Sequence, residues 1–441
     1  MTQSIVIQVG QCGNQIGARF WDLALKEHKT LCTKKTSSVD SVNSFFEQVD
    51  NERGQTTLKA RAVLVDMEEG VVDGMTKSNM GSIFKHQQLI KDFSGSGNNW
   101  AVGHFEYGGK HDEDLRDCVR RAVETCDCLQ CFFMLHSMGG GTGSGLGTYI
   151  LKQLEDDYQD VYRFVIPIFP SQDDDVITSP YNAILALSHL TDHADCVLPI
   201  ENQALSNIVT KISSSSNKLA SRYGKKPQSS SSSLLTSSSS SSSKMTSLSS
   251  SSSSSATRRG CGDGGKDGGL AFDEMNNIVA NMILNLTRSS RFDGSLNVDL
   301  NEITMNLVPY PTMHFILSSQ SPLLNSSDET GSAKRLDSMF TEAYSPDHQM
   351  MTSDPRTGVF MACALLVRGR VELSDIRRNV DRLKKTLKFV HWNQDGWKTG
   401  LCSTPPPHFS HSLLSLSNNS SLWKNFQDMN GRFLKLYTRK V

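Results

Sequence analysis

The chain is predicted to be an α/β protein with a doubly wound parallel sheet, and three observations predict it. Short apolar runs alternate with stretches of helical spacing from the N-terminus onward. Several of those runs lead straight into turns rich in Gly and Asn. A long, many-sided apolar helix then separates this series from a second alternation. Strand and helix in alternation argue a parallel sheet, with ligand at the strands' C-terminal ends.

In order, Ser4-Ile-Val-Ile-Gln-Val9 reads as a strand, and Gly10-Gln-Cys-Gly-Asn-Gln15 as a tight turn into a helix through His28. Residues 29–59 read as polar and irregular. Ala60–Asp66 is a second buried strand, ending in Asp66-Met-Glu68-Glu69, and Ser94–Trp100 is a glycine and amide loop. A helix over Asp112–Cys126 precedes the strand Gln130-Cys-Phe-Phe-Met-Leu135. The stretch His136-Ser-Met-Gly-Gly-Gly-Thr-Gly-Ser-Gly-Leu-Gly147 follows, feeding a helix through Leu154. A strand, a glycine turn and a helix N-terminus together make an anion site, because backbone N–H groups reach phosphate oxygens and the helix dipole adds positive charge. Neither G-x-G-x-x-G nor G-x-x-x-x-G-K-[ST] can be laid on residues 139–147, which argues against a dinucleotide oxidoreductase and a P-loop enzyme. The bland alternative is a glycine turn with no ligand.

Strands over Tyr162–Ile168 and Asp195–Ile200 flank a helix from Pro180, capped by Ser179, and a further helix runs to about Ile212. The Ser runs of residues 213–269 cannot bury a core and read as a disordered insert. Such an insert is tolerable, since each doubling of loop length costs only about 0.6 kcal/mol. Gly260–Gly265 matches G-x-G-x-x-G by chance, with no strand before it. From Leu270 to Arg288 apolar positions surround most of the helix, so it reads as a buried central helix. A polar turn over Gly294–Glu302 follows, then strands near His314–Ser318, Val359–Val367 and Lys388–Trp392. Helices are expected near 333–343, 374–386 and 421–437.

The bulk numbers exclude more than they assign. With 45 Lys and Arg against 46 Asp and Glu, nothing calls for nucleic acid or a membrane surface as partner. No apolar run is long enough to span a bilayer, and the N-terminus lacks the basic start of a signal peptide. Ten scattered cysteines suit a reducing compartment such as the cytoplasm. Cys126, Cys128 and Cys131 invite a zinc reading, but no second Cys/His pair stands at finger spacing.

Taken together, Gly10–Gln15, Gly97-Asn-Asn-Trp100, Gly139-Gly-Gly-Thr-Gly-Ser-Gly145, Ser179-Pro-Tyr-Asn182, Asn297-Val-Asp299-Leu-Asn-Glu302 and Asn306–Pro311 resemble the tubulin nucleotide loops. The likeness covers nearly all the chain outside the Ser-rich insert. Further stretches, Gly97–His104, His193–Ile200 and Asn276–Asn281, are similar to one divergent branch of that family, whose members act at centrioles, basal bodies and the centrosome. The resemblance implies a cytoskeletal subunit that binds GTP or GDP with Mg²⁺ and partners other tubulins head to tail. It divides the chain into a nucleotide-binding domain over 1–212, the insert over 213–269, a central helix over 270–290 and a second α/β domain over 291–441. By the same resemblance Gln11 and Cys12 lie by the phosphates and base, and Glu68 and Asp66 lie near Mg²⁺. Asn98, Ser137, Gly139, Gly140, Gly141, Thr142, Gly143 and Ser144 hold the phosphates. Asp175 and Asn202 border the ribose and base, Phe272 stacks on guanine, and Asn276 bonds its edge.

The resemblance also implies that Glu302, with Asp299 beside it, is catalytic on the GTP of the neighbouring subunit, since alpha-type tubulins carry Glu here and beta-type carry Lys. Spacing agrees: roughly 27 Å of helix separates the guanine contacts from Glu302, whereas a general base works within about 3 Å or through one water. A nucleotide-locked cap that binds GTP without turnover is the alternative. Four departures stand out. Ser179 replaces a usual Glu, Phe272 a usual Tyr, and the Ser tract is unlike ordinary tubulins. The chain also stops at Arg439-Lys-Val441, where the family is expected to continue into outer helices and an acidic tail.

Overall fold

The structure, a computed structural model, describes residues 2–33, 42–50, 56–171, 174, 176–223, 266–292, 294–323, 335–406 and 409–440. The first half runs β1 (Gln3–Val9), α1 (Gly10–Thr33), β2 (Phe46–Asp50), β3 (Thr56–Ala60), β4 (Ala62–Asp66), α2 (Glu69–Lys77) and β5 (Leu89–Lys91). A π-helical segment (Val102–Tyr107) leads to α3 (Gly108–Lys110), α4 (Asp112–Glu124) and β6 (Leu129–Ser137). A second π-helical segment (Thr142–Leu146) opens α5 (Gly147–Asp157). Then come β7 (Tyr162–Phe169), α6 (Ser179–His193), β8 (Cys196–Val197), β9 (Ile200–Glu201) and α7 (Asn202–Tyr223).

The strands form one sheet in the order β5-β4-β1-β6-β7-β8, with β9 also on β7. Every pairing in it is parallel. All seven residues of β1 are buried, as a strand covered on both faces requires. The chain winds outward from β1 through β4 to β5, then crosses back to β6. The sheet therefore has its topological switch point between β1 and β6, where a doubly wound sheet opens a crevice.

The second half comprises α8 (Lys266–Leu286), α9 (Arg288–Arg291), α10 (Leu300–Leu307), β10 (Leu317–Ser321), α11 (Leu336–Glu342), β11 (Phe360–Gly369), α12 (Leu373–Lys384), β12 (Trp397–Cys402), β13 (His411–Asn419) and α13 (Trp423–Arg439). Its sheet is mixed, β10-β13-β11-β12, with β13 antiparallel to both neighbours and β12 parallel to β11. Ile278, Val279, Met282, Ile283 and Leu286 of α8 share one core with Ala364 and Leu366 of β11 and Leu414 and Leu416 of β13. The same core takes in Val6, Leu64 and Leu135 of the first sheet, so α8 is the shared wall of both units.

Several expectations needed correction. Residues 29–59 are not irregular throughout: α1 continues to Thr33, and β2 and β3 form a hairpin seated by the fully buried Phe45 and Phe46. The strand expected over Ala60–Asp66 is split at Arg61, whose side chain donates to the Asn43 and Thr125 carbonyls. Ser179 is not the cap of α6; Thr178 precedes the helix, and Ser179 Oγ donates to Asp174 Oδ2 at 2.6 Å. Lys388–Trp392 makes a single bridge, Phe360 to Phe389, and the strand beside β11 is Trp397–Cys402. The polar turn over Gly294–Glu302 ends in a helix: Asp299 caps α10 by accepting from Leu300 N at 2.9 Å, and Glu302 lies on its first turn. Of the disordered insert expected over 213–269, α7 takes the start and α8 the end, while residues 224–265 lie outside the described residues.

Candidate nucleotide-binding site

At the switch point three loops meet with their backbones in close approach. Gly10, directly after β1, has φ +72°, and a Cβ there would stand 3.1 Å from Gly143 N. A Cβ on Gly141 would stand 2.5 Å from both Asn99 N and Ser96 Oγ. These approaches are what the glycines of the motif permit. Three side chains hold the assembly: Thr142 Oγ1 bonds Ser96 Oγ at 2.9 Å, and Asn182 Nδ2 donates to the carbonyls of Asn98 and Gly139, each at 2.8 Å. Asn98 itself adopts φ +53°, a left-handed conformation that Asn tolerates.

The loops bound a cleft of about 1220 Å³. Gln11, Cys12, Asp66, Glu68, Asn98, Ser137, Gly140, Gly141, Thr142, Gly143, Asn202, Phe272 and Asn276 all line it, so the structure brings together most of the residues singled out in the sequence. Gly139 and Ser144 stand behind the wall: the Gly139 carbonyl takes Asn182, and the buried Ser144 Oγ donates to the Gly140 carbonyl within the loop. Asp175 lies outside the described residues. Glu302 and Asp299 are not in the cleft. Sequence reading missed Ser96 as a wall residue and Asn182 as the staple; both sat in stretches it had already marked as loops.

The far end of the cleft is a slot between helices. Ile16 of α1, Leu205 of α7 and Val279 of α8 are its apolar walls, while Gln15, Asn202 and Asn276 offer amides at its edges. Phe272 lies there, a residue 56% exposed, leaving a ring face for a planar group to cover.

Electrostatics of the cleft are unusual for a phosphate site. Among the described lining residues Arg19 is the one cation, and its guanidinium is committed to Asp22 and Asn277, at 2.9 and 3.1 Å. His136 lies buried under the loop, where burial lowers its pKa to about 4, so it adds no charge. Positive potential must come from backbone N–H groups at the start of the 142–146 segment, which have no partner within their own helix. A bound cation would add to it. Asp66 is 3% exposed with Oδ2 unpartnered, and burial, with the Glu68 carboxylate adding to it, pushes its pKa up to about 6. A carboxylate so placed fits a divalent cation held partly through water. Among the described residues no cluster of three or more His, Cys, Asp or Glu could hold a metal by itself.

A glycine-walled cleft at the switch point of a parallel sheet, ending in an aromatic and amide slot, defines a nucleotide-binding α/β protein. Comparison narrows this: residues 3–210 match the GTPase domain of the Tubulin/FtsZ family, and residues 311–431 match the tubulin C-terminal domain. The chain belongs to the tubulin family. It is 51% identical to the tubulin epsilon chains of Mus musculus and Homo sapiens, across all of this chain and 89% of each relative. It is 28% identical to the tubulin beta-6 chain of Gallus gallus, covering 88% of that relative. Membership implies that the nucleotide is GTP or GDP. No described helix is long and apolar enough to cross a membrane.

Proposed function

We propose that the chain is a GTP-binding cytoskeletal subunit that assembles head to tail with other tubulins and serves microtubule organisation at centrioles, basal bodies and the centrosome. What supports the reading is that the cleft and the helix bearing Glu302 are tied to opposite ends of one strand. Ser137, at the end of β6, lines the cleft, whereas Gln130, at its beginning, holds Asp299 and with it the helix that bears Glu302.

In the cleft, Gly140, Gly141, Thr142 and Gly143 hold the phosphates, Phe272 and Asn276 hold guanine, and Asp66 and Glu68 hold Mg²⁺, which neutralises phosphate charge. Glu302 of the next subunit would orient a water and take up its proton as the water oxygen bonds the γ-phosphorus and the bond to the β–γ bridging oxygen breaks, with GDP as the leaving group. Asp299 acts as a positioning residue, since one carboxylate oxygen caps α10 and the other accepts from Gln130. A contact that joins one end of a subunit to the other end of the next does not close, so it builds filaments.

One observation favours the rival, a nucleotide-locked cap: Lys398 Nζ pairs with Glu302 Oε2 at 3.1 Å. The pair is half exposed and contributes on the order of 1 kcal/mol or less, so an incoming subunit can displace it. Mass spectrometry of the purified protein, scoring guanine nucleotide and co-purifying tubulins, with hydrolysis followed against concentration, separates the readings. Bound nucleotide with concentration-dependent turnover supports assembly; bound nucleotide never turned over at any concentration supports the cap.

A further inference from the structure

Far from the cleft, Glu27 of α1 is 2% exposed and accepts hydrogen bonds from three guanidiniums: Arg288 at 2.9 Å, Arg291 at 2.6 Å, and Arg368. The arginines are as deeply buried as the acid, at 3%, 0% and 3% exposure. Burial works against the Glu27 carboxylate, but Arg291, Arg368 and Arg288 hold its pKa far below the usual carboxylate range. Burial, with the neighbouring guanidiniums, pulls Arg368 down to about 9, which still leaves it charged at neutral pH. His28 beside them stays neutral, its pKa lowered to about 4 by burial and by Arg291. Among the described residues, one carboxylate thus faces three fixed positive charges. Buried charges in folded proteins are paired, because an uncompensated one is strongly unfavourable.

Two N–H groups of this cluster, Arg288 Nη2 and Arg368 Nε, are buried and have no hydrogen-bond partner. Both residues line a cavity of about 20 Å³, together with Asn285, Gly400, Leu401 and Cys402. That volume suits one sphere the size of a water molecule, and is too small for a carboxylate or phosphate group. A neutral water would satisfy the N–H groups and leave the charge excess standing. We propose that this cavity binds a single monatomic anion, chloride, held between Arg288 and Arg368. The ion ties the end of α8 and the adjoining α9 to β11 and β12. It thereby fixes the second unit on the central helix at the end away from the nucleotide cleft.

The test uses the full chain with its nucleotide. Replacing gluconate by chloride at fixed ionic strength should raise the thermal midpoint with single-site saturation, and Arg288→Gln should flatten that response. Crystals of the unaltered protein soaked in bromide should show an anomalous peak between Arg288 and Arg368, a readout that does not depend on the variant folding. A midpoint indifferent to chloride, an unchanged response in Arg288→Gln, or a cavity holding water with no bromide would each overturn the proposal.

Discussion

Gln130 Nε2 donates to Asp299 Oδ2 at 2.5 Å, fastening the start of α10 to the start of β6. The strand ends at Ser137, in the wall of the cleft. From Gln130 to Ser137 is seven residues (137 − 130), or about 23 Å at 3.3 Å each. Glu302, on the first turn of α10, therefore lies roughly the length of that strand from the wall of the cleft.

Removing the anchor should separate positioning from binding. Asp299→Ala deletes an N-cap and should cost about 1 kcal/mol in urea unfolding. Gln130→Ala keeps the cap but frees α10. Nucleotide occupancy should be unchanged while hydrolysis on assembly falls; equal loss of nucleotide would show that the two ends are not independent.

Glu302→Ala should bind GTP normally and fail to hydrolyse it in assemblies. Mixed with a variant defective in the cleft, it should recover turnover, because the partner supplies the acid and it supplies the nucleotide. Lys398→Ala should change stability by less than about 1 kcal/mol, since the pair it breaks is half exposed.

Gly141→Ala places a methyl 2.5 Å from Asn99 N and Ser96 Oγ, so the loops must part. Guanine nucleotide recovered after denaturation should drop well below one per chain. Gly431→Ala, on α13 with open space around the added carbon and outside the cleft, is the matched control and should keep full occupancy.

Asp66 carries a pH signature. Its pKa of about 6 lies above the ordinary value for Asp, about 3.9, so the folded state binds the proton more tightly than the unfolded chain. The nucleotide-free protein should lose stability as pH rises from about 4 to 6 and level off above that. Mg²⁺ needs the ionised carboxylate, so its affinity should weaken as pH falls below about 6. Asp66→Asn should abolish both trends, as read by denaturant unfolding and Mg²⁺ titration.

The glycine turns were legible in the sequence because their cause is local: each sits where a strand must pass its backbone close to another loop or a phosphate. Asp299-x-x-Glu302 even carried the spacing of a helix start, but surrounding Asn and Gly residues made it read as a turn. The antiparallel pair β2–β3 and the strand β12 were not legible, since Trp397-Lys-Thr-Gly-Leu-Cys402 becomes a strand only through pairing with β11. Nor could sequence order reveal long-range partners. Gln130 meets Asp299 across 169 residues, and Arg288 meets Glu27 across 261.

If Glu302 acts only across a contact, one subunit cannot hydrolyse the GTP it holds. Single-turnover hydrolysis per molecule, followed from assembling concentrations down to dilution where sedimentation shows monomer alone, tests it most directly. The rate should fall to the level of free GTP once contacts are lost. A monomer that hydrolyses its GTP as fast as the assembled protein would contradict it.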